Sequence, residues 1–191
     1  MTSGAIPPVD GLQPDDPRTI ERYRRVGRLG VGGMGVVYLG QDHHGARAAV
    51  KLVRSDLAAY PEFRVRFARE VQAARRVRGR HTARVLAADT DSARQWVATE
   101  YVEGPTLERH VLAHGPMSHE ALTAMAVALA DGLAGIHDAG LVHRDLKPSN
   151  VILSPSGPRV IDFGIARALD ATSLTATGTS MGTLAWMSPE Q

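Results

Sequence analysis

The sequence predicts an α+β fold divided into a strand-rich first half and a helix-rich second half. Three observations carry that expectation. Up to about residue 103, short β-branched runs alternate with glycine or polar turns; Gly104-Pro105 then breaks the chain; beyond it the apolar spacing becomes helical. The expected organisation is a flexible leader over 1–20, a first lobe over 21–103 and a partial second lobe over 104–191.

Residues 1–20 are polar, with Pro7, Pro8, Pro14 and Pro17 and the acids Asp10, Asp15 and Asp16, which is the composition of a flexible leader. They lack the basic and apolar regions of a secretory signal. Strands are predicted over 23–29, 36–41 and 46–53, separated by Gly30–Gly35 and a His43-His44-Gly45 turn. A helix is predicted over 61–77, with Pro61 suited to its first position and Phe63, Phe67, Val71, Ala74 and Val77 as its inner stripe. Two more strands follow over 85–88 and 95–102. The second half opens with a short helix over 106–113 and a long one over 118–139, whose expected buried face is Leu122, Met125, Ala126, Leu129, Leu133 and Ile136.

Composition narrows the classes. A hydrophobic share of 43% supports a real core, and a net charge of +2 gives no bulk pull toward nucleic acid or anionic membrane. The arginines between Arg64 and Arg80 read as a solvated helix face, so no nucleic-acid partner is expected. The absence of cysteine excludes disulfides and thiolate zinc sites. The longest apolar run, Ala124–Ala130, is too short to span a bilayer, so no membrane span is expected in this chain. His110, His114, His119 and His137 do not have metal-cluster spacing.

The chemistry concentrates in His143-Arg144-Asp145-Leu146-Lys147-Pro148-Ser149-Asn150 and in Asp162-Phe163-Gly164. Two acids, an amide and a lysine in this order are the apparatus for moving a phosphoryl group from a metal-bound nucleotide to a hydroxyl. Magnesium takes carboxylate and amide oxygens together with phosphates, and Asn150 and Asp162 offer such oxygens on loops expected to follow short apolar strands. Upstream, Gly30-Val31-Gly32-Gly33-Met34-Gly35-Val36-Val37 fits a glycine-rich phosphate loop. A dinucleotide fold would need a helix directly after the glycines, whereas Val36-Val37-Tyr38-Leu39 is strand-like, so the loop joins strand to strand. Lys51, in Ala48-Ala49-Val50-Lys51, can reach nucleotide phosphates, with Glu70 on the following helix to hold it; Glu62 is the competing acid.

On these motifs, from about Tyr23 to Gln191, the chain resembles the bacterial serine/threonine kinases of eukaryotic type whose glycine loop reads Gly-Gly-Met-Gly. The resemblance implies a two-lobed kinase fold, its first lobe an antiparallel sheet plus one helix and its second lobe mainly helical and incomplete, the chain being C-terminally truncated. It implies ATP and Mg2+ as cofactors and protein Ser/Thr hydroxyls as acceptors. Asp145 would be the base or orienter of the hydroxyl, Lys147 would steady the phosphoryl group, and Asn150 and Asp162 would hold the metal. Leu29, Gly30, Gly32, Gly35, Val37, Ala49, Lys51, Glu70 and Ile152 would line the ATP site, with Glu100 and Val102 at the hinge and Thr99 behind it. His143, Phe163, Ala74 and Leu86 would form an apolar column. Lys147-Pro148-Ser149 is the Ser/Thr form of the loop. Thr175 and Thr177 would be autophosphorylated in trans, which requires self-association. Thr183 would lie in the substrate floor and Trp186 would pack there, the alternative for Trp186 being an ordinary core residue. The expected location is cytoplasmic, with membrane attachment only in a longer parent. The alternative reading is a truncated, non-catalytic nucleotide-binding or interaction fragment of a kinase.

Overall fold

A computed structural model describes residues 9–163 and 186. They fall into two compact units: one runs through Val71 and resumes over Arg84–Tyr101, and the other comprises Gln72–Ala83 and the chain from Val102.

The first unit is built on a six-stranded antiparallel sheet in the order β1-β2-β3-β4-β6-β5. Its strands are β1 (Thr19–Ile20), β2 (Tyr23–Gly32), β3 (Gly35–Gln41), β4 (Arg47–Val53), β5 (Val85–Asp89) and β6 (Trp96–Glu100). Alternation sorts the side chains onto two faces. One face carries a core of Ile20, Tyr23, Tyr38, Ala48, Val50, Trp96 and Ala98, with Tyr23 and Trp96 meeting edge to face at 6.0 Å. The other face carries Val37, Leu39, Ala49, Lys51, Val97 and Thr99. The register sets Val37 and Val97 against Lys51, and Leu39 and Thr99 against Ala49.

After the single turn α1 (Ser55–Ala58), α2 runs Pro61–Ala74. Phe63, Phe67, Val71, Ala74 and Val77 are all buried, as the 3.6-residue spacing predicts, and Phe63 and Phe67 stack at 5.9 Å. Full burial of each Phe or Val contributes about 1.5–3 kcal/mol. The helix ends three residues short of the expected 77, because Arg76 and Val77 N–H groups donate to the carbonyls three residues back, Ala73 and Ala74. The arginines from Arg66 to Arg80 on this helix and its exit are exposed.

The second unit contains α3 (Leu107–His114), α4 (His119–Asp138), a 3-10 turn over Pro148–Asn150 and the hairpin β7 (Val151–Ser154)–β8 (Gly157–Val160). Thr106 and Ser118 cap the two helices by accepting from Arg109 and Ala121 N–H groups. The Arg76 guanidinium donates to the Ala139 carbonyl at the C-terminal end of α4 (3.0 Å), where a cation is favoured. The segment His81–Ala83 zips alongside β8: Val160 N–H donates to the His81 carbonyl (2.8 Å), Ala83 N–H to the Val160 carbonyl (3.0 Å) and Arg159 to the Thr82 carbonyl (2.7 Å).

Several expectations need correction. Residues 9–20 are not a flexible leader: they add β1 to the sheet edge, pair Asp10 with Arg28 and bury the Asp16 side chain. The buried line of α4 is Met125, Ala128, Gly132 and Ile136, while Leu122 and Ala126 are exposed. That helix is apolar on almost every side, so spacing alone does not choose a face. The face is chosen by Gly132, where a Cβ would meet the His81 carbonyl oxygen at 3.0 Å. Leu86 is 42% exposed, outside any buried column, because a register shift between Val85 and Ala87 turns it outward. Asn150 precedes a strand, β7, instead of following one; only Asp162 follows a strand, β8. Trp186 is 58% exposed and is not a core residue.

Candidate functional site

The candidate residues of the first unit cluster around the β2–β3 hairpin and the sheet face it adjoins. Gly32 pairs with Gly35, which leaves Gly33-Met34 as the turn. Gly35 is required by the chain itself: its φ is +156° and a Cβ would lie 1.9 Å from the Leu52 carbonyl oxygen. Gly30, Gly32 and Gly33 differ, since a Cβ on any of them would meet nothing within 4 Å and none has a positive φ. Neither packing nor backbone conformation within the chain demands glycine at these three positions. A group approaching the backbone from outside would.

Leu29, at a bulge of β2, is half-buried, as are Val37, Ala49, Lys51 and Thr99. Lys51 and Val37 are cross-strand neighbours. Glu70, in the middle of α2, is 9% exposed, whereas the competing Glu62 is fully on the surface. Burial of an acid in this way demands a partner. Thr99 Oγ1 donates to the Ala49 carbonyl (3.5 Å), and Glu100 N–H is taken by the Arg84 carbonyl (2.8 Å), so any backbone bond from Glu100 to a ligand runs through its carbonyl.

In the second unit, Asp145, Lys147 and Asn150 come together. Lys147 Nζ lies 3.0 Å from Asp145 Oδ2, and Asn150 Nδ2 donates to the same oxygen (3.2 Å) and to the Asp145 carbonyl (2.8 Å). The loop is held by its own backbone, with Asn150 N–H donating to the Lys147 carbonyl (2.8 Å) and Ile161 N–H to the Asn150 carbonyl (3.0 Å). That last bond ties the loop to the residue before Asp162. Spending both donors of Nδ2 on Asp145 leaves Oδ1 as the Asn150 atom suited to a cation. Together with the exposed carboxylate of Asp162 it makes a hard, all-oxygen donor pair of the type magnesium takes. Among the described residues, no three His, Cys, Asp or Glu side chains are grouped for a metal.

His143 is the pin beneath this loop, 3% exposed. Asp145 N–H donates to its Nδ1 (3.2 Å), so the ring proton sits on Nε2 and faces the Ile161 carbonyl (3.2 Å). Burial pushes the imidazole pKa below its ordinary value, against the opposing pull of that carbonyl. The neutral ring thus joins the Asp145 loop to the Asp162 loop. The sequence motif contains His143, but only the two hydrogen bonds reveal this joining role. Arg144 and Asp162 both have a φ of +59°, a left-handed conformation costly for residues with a Cβ. Phe163, next to Asp162, is 2% exposed.

Val102 is buried and Ile152 is half-buried on β7. Gly104 is pressed against that strand: its φ is +137° and a Cβ would come within 2.3 Å of the Leu153 carbonyl oxygen. Leu153 N–H donates to the Pro105 carbonyl (2.9 Å), and Thr106 bridges to Ile152. Gly164, Thr175, Thr177, Thr183 and Ser188–Glu190 lie outside the described residues.

Comparison with known proteins agrees with this geometry. The protein kinase domain family model matches residues 23–191. The probable serine/threonine-protein kinase PkwA of Thermomonospora curvata is 51% identical over 183 residues, which is 96% of this chain and 25% of that protein. The serine/threonine-protein kinase AfsK of Streptomyces coelicolor is 54% identical, again over 96% of this chain and 23% of its own length. The chain therefore spans about a quarter of these relatives. Among solved structures, the PknI kinase domain of Mycobacterium tuberculosis matches with a TM-score of 0.67 at 34% identity, covering 76% of this chain and 59% of that one. Motifs, sheet order and family match converge: this chain belongs to the protein kinase domain family and has its fold.

Proposed function

We propose that this chain carries the nucleotide-binding and catalytic residues of a serine/threonine protein kinase. The reaction transfers the γ-phosphoryl group of ATP to a Ser or Thr hydroxyl of a protein. The observation that carries the reading is the Asp145–Lys147–Asn150 cluster, an acid oriented by an amide and backed by an ammonium 3.0 Å away. Asp145 accepts the hydroxyl proton as the new O–P bond forms and the bond to the ADP oxygen breaks. The Lys147 ammonium sits where negative charge gathers on the transferring group. Asn150 and Asp162 would hold magnesium, which when bound neutralises phosphate charge. Gly30, Gly32 and Gly33 leave room for phosphates at the backbone, and Lys51, kept by Glu70, reaches them. Leu29, Val37, Ala49 and Ile152 provide apolar surface for adenine, and Glu100 and Val102 provide backbone groups.

The partners that follow are protein substrates and a second kinase molecule that phosphorylates Thr175 and Thr177. The cytoplasm is the compartment that supplies ATP. No helix among the described residues is long and apolar enough to cross a membrane. The test is Mg-ATP-dependent phosphate incorporation, into the chain itself and into a generic Ser/Thr substrate, for this chain and for a version continued through any downstream coding sequence. Lys51→Met and Asp145→Asn should each abolish incorporation while leaving the circular dichroism spectrum intact. Incorporation that survives Asp145→Asn would remove the proposed base.

A further inference from the structure

The stretch before the family match, residues 9–20, contains a side chain whose position relates directly to the glycine hairpin. Asp16 is 4% exposed at its side chain. Its Oδ1 accepts from Arg28 Nη2 (2.7 Å) and Tyr38 Oη (2.6 Å); its Oδ2 accepts from Arg28 Nε (3.0 Å) and Gln13 N–H (2.8 Å), with Arg25 Nη1 at 3.4 Å. The turn that delivers it is closed by Asp16 N–H to the Gln13 carbonyl (3.0 Å), with Pro14 at the position a type I turn favours.

Arg28 and Tyr38 are not two arbitrary surface groups. They are directly opposed across β2 and β3, the strands of the glycine hairpin, so one carboxylate oxygen ties together the two sides of a single cross-strand pair. The pair sits between two register shifts, one at Val26 and one at Leu29. The first shift is what places Arg25 and Arg28 on the same face, where the Arg25 guanidinium lies 4.9 Å over the Tyr38 ring. The second shift sets the register of everything beyond it: Gly30 with Val37, Val31 with Val36, Gly32 with Gly35. A glycine-rich strand has few side chains with which to specify its own register. A one-residue slip of β2 against β3 would move Gly30 away from Val37 and re-aim the backbone N–H groups of the hairpin. The far end has its own tie, Arg54 N–H to the Met34 carbonyl (2.9 Å), which holds the tip but does not choose the pairing.

We propose that Asp16 is a register clamp for the glycine hairpin: by bridging Arg28 and Tyr38 it fixes the pairing of Gly30–Gly35 and so positions that backbone for nucleotide phosphates. Asp16 is a positioning residue; it touches no substrate. The inference rests on the nucleotide role proposed above for the hairpin.

The test compares Asp16→Ala, Asp16→Glu and wild type in the full chain by amide hydrogen exchange over residues 29–36 and by equilibrium binding of Mg-ATP. Ile136→Val, which removes a methyl group from a fully buried side chain of the other unit, serves as the control for simple loss of stability. In Asp16→Ala, exchange over 29–36 should rise by about tenfold and the ATP dissociation constant by about fivefold or more. Asp16→Glu should recover part of both losses, and Ile136→Val should shift neither readout. Where the chain phosphorylates a generic Ser/Thr substrate, the loss should appear in KM for ATP, with kcat within about twofold. Unchanged exchange in a folded Asp16→Ala chain overturns the clamp, and so do equal effects from Ile136→Val. Where Asp16→Ala fails to fold, Tyr38→Phe removes a single bond to the carboxylate and should shift both readouts in the same direction by less; no shift overturns the proposal. If wild type itself binds no nucleotide, the function proposed above falls, while the exchange comparison still decides whether Asp16 sets the hairpin.

Discussion

Replacing Asn150 by Asp puts an oxygen where the amide nitrogen stood and leaves the volume almost unchanged, yet it should be among the most damaging single changes in the second unit. In the native chain Asn150 Nδ2 donates to Asp145 Oδ2 at 3.2 Å and to its carbonyl at 2.8 Å. The variant turns a donor–acceptor pair into two facing carboxylates. Two unit charges at that 3.2 Å separation repel by about 5 kcal/mol at an effective dielectric of about 20. Lys147, 3.0 Å from the same oxygen, offsets part of this. A net loss of about 3 kcal/mol remains, which lowers the melting temperature of a chain this size by about 6–12 °C. The pair relieves its repulsion by sharing a proton, so one carboxyl has a folded pKa above its unfolded value of about 3.9. A raised folded pKa means that stability is intact at low pH and is lost as pH rises through that value. The assay is a thermal melt of Asn150→Asp beside Asn150→Ala at pH 7.5 and at pH 4.5. The gap between the variants should be wide at the higher pH and close at the lower. An equal gap at both would mean that residue 150 does not face the Asp145 carboxylate.

Three further outcomes follow from the same structure. His143 is buried with its pKa lowered, so the unfolded chain takes up a proton that the folded chain refuses. Stability present above about pH 6.5 should decline as pH falls below it, and His143→Gln should flatten that part of a melting-temperature profile. Gly35→Ala forces a Cβ to within 1.9 Å of the Leu52 carbonyl and into a φ of +156°, so it should cost about 2 kcal/mol or more in denaturant unfolding. Gly30→Ala should cost less than about 1 kcal/mol and act on nucleotide affinity instead. On α4, Met125→Ser should destabilise by about 2–4 kcal/mol, while Leu122→Ser at a 55% exposed site should stay within about 0.5 kcal/mol; a loss at Leu122 as large as that at Met125 would restore the face that spacing suggests.

The elements that could be read from sequence are those whose signal is local. The strands beside the glycine loop announce themselves by β-branched runs, and the α2 stripe is legible because most residues between its apolar positions are arginine or glutamate. The face of α4 could not be read, since alanine, leucine and valine surround it and the deciding contact is a backbone carbonyl at His81. Asp16 was hidden for a related reason. Its surroundings in sequence are proline and other acids, and the residues that bury it, Arg28 and Tyr38, lie 12 and 22 positions away. In the candidate site the motifs name Asp145, Lys147, Asn150 and Asp162 at once. What they do not disclose is the support: the His143 tautomer and the Ile161 bond that couples the two loops.

The pairing of His81–Ala83 with β8 has a consequence for how the polypeptide is made. His81 and Pro158 are 77 positions apart, so at a ribosomal rate of about 5–20 residues per second the earlier segment waits about 4–15 s for its partner to be synthesised. Residues 72–83 therefore emerge early but cannot settle until β8 has been made. During that interval the nascent chain displays an unpaired edge and the back of an arginine-rich helix, the surface a chaperone would meet first. No single cut can yield both units whole, because each contains a stretch of chain that the other interrupts.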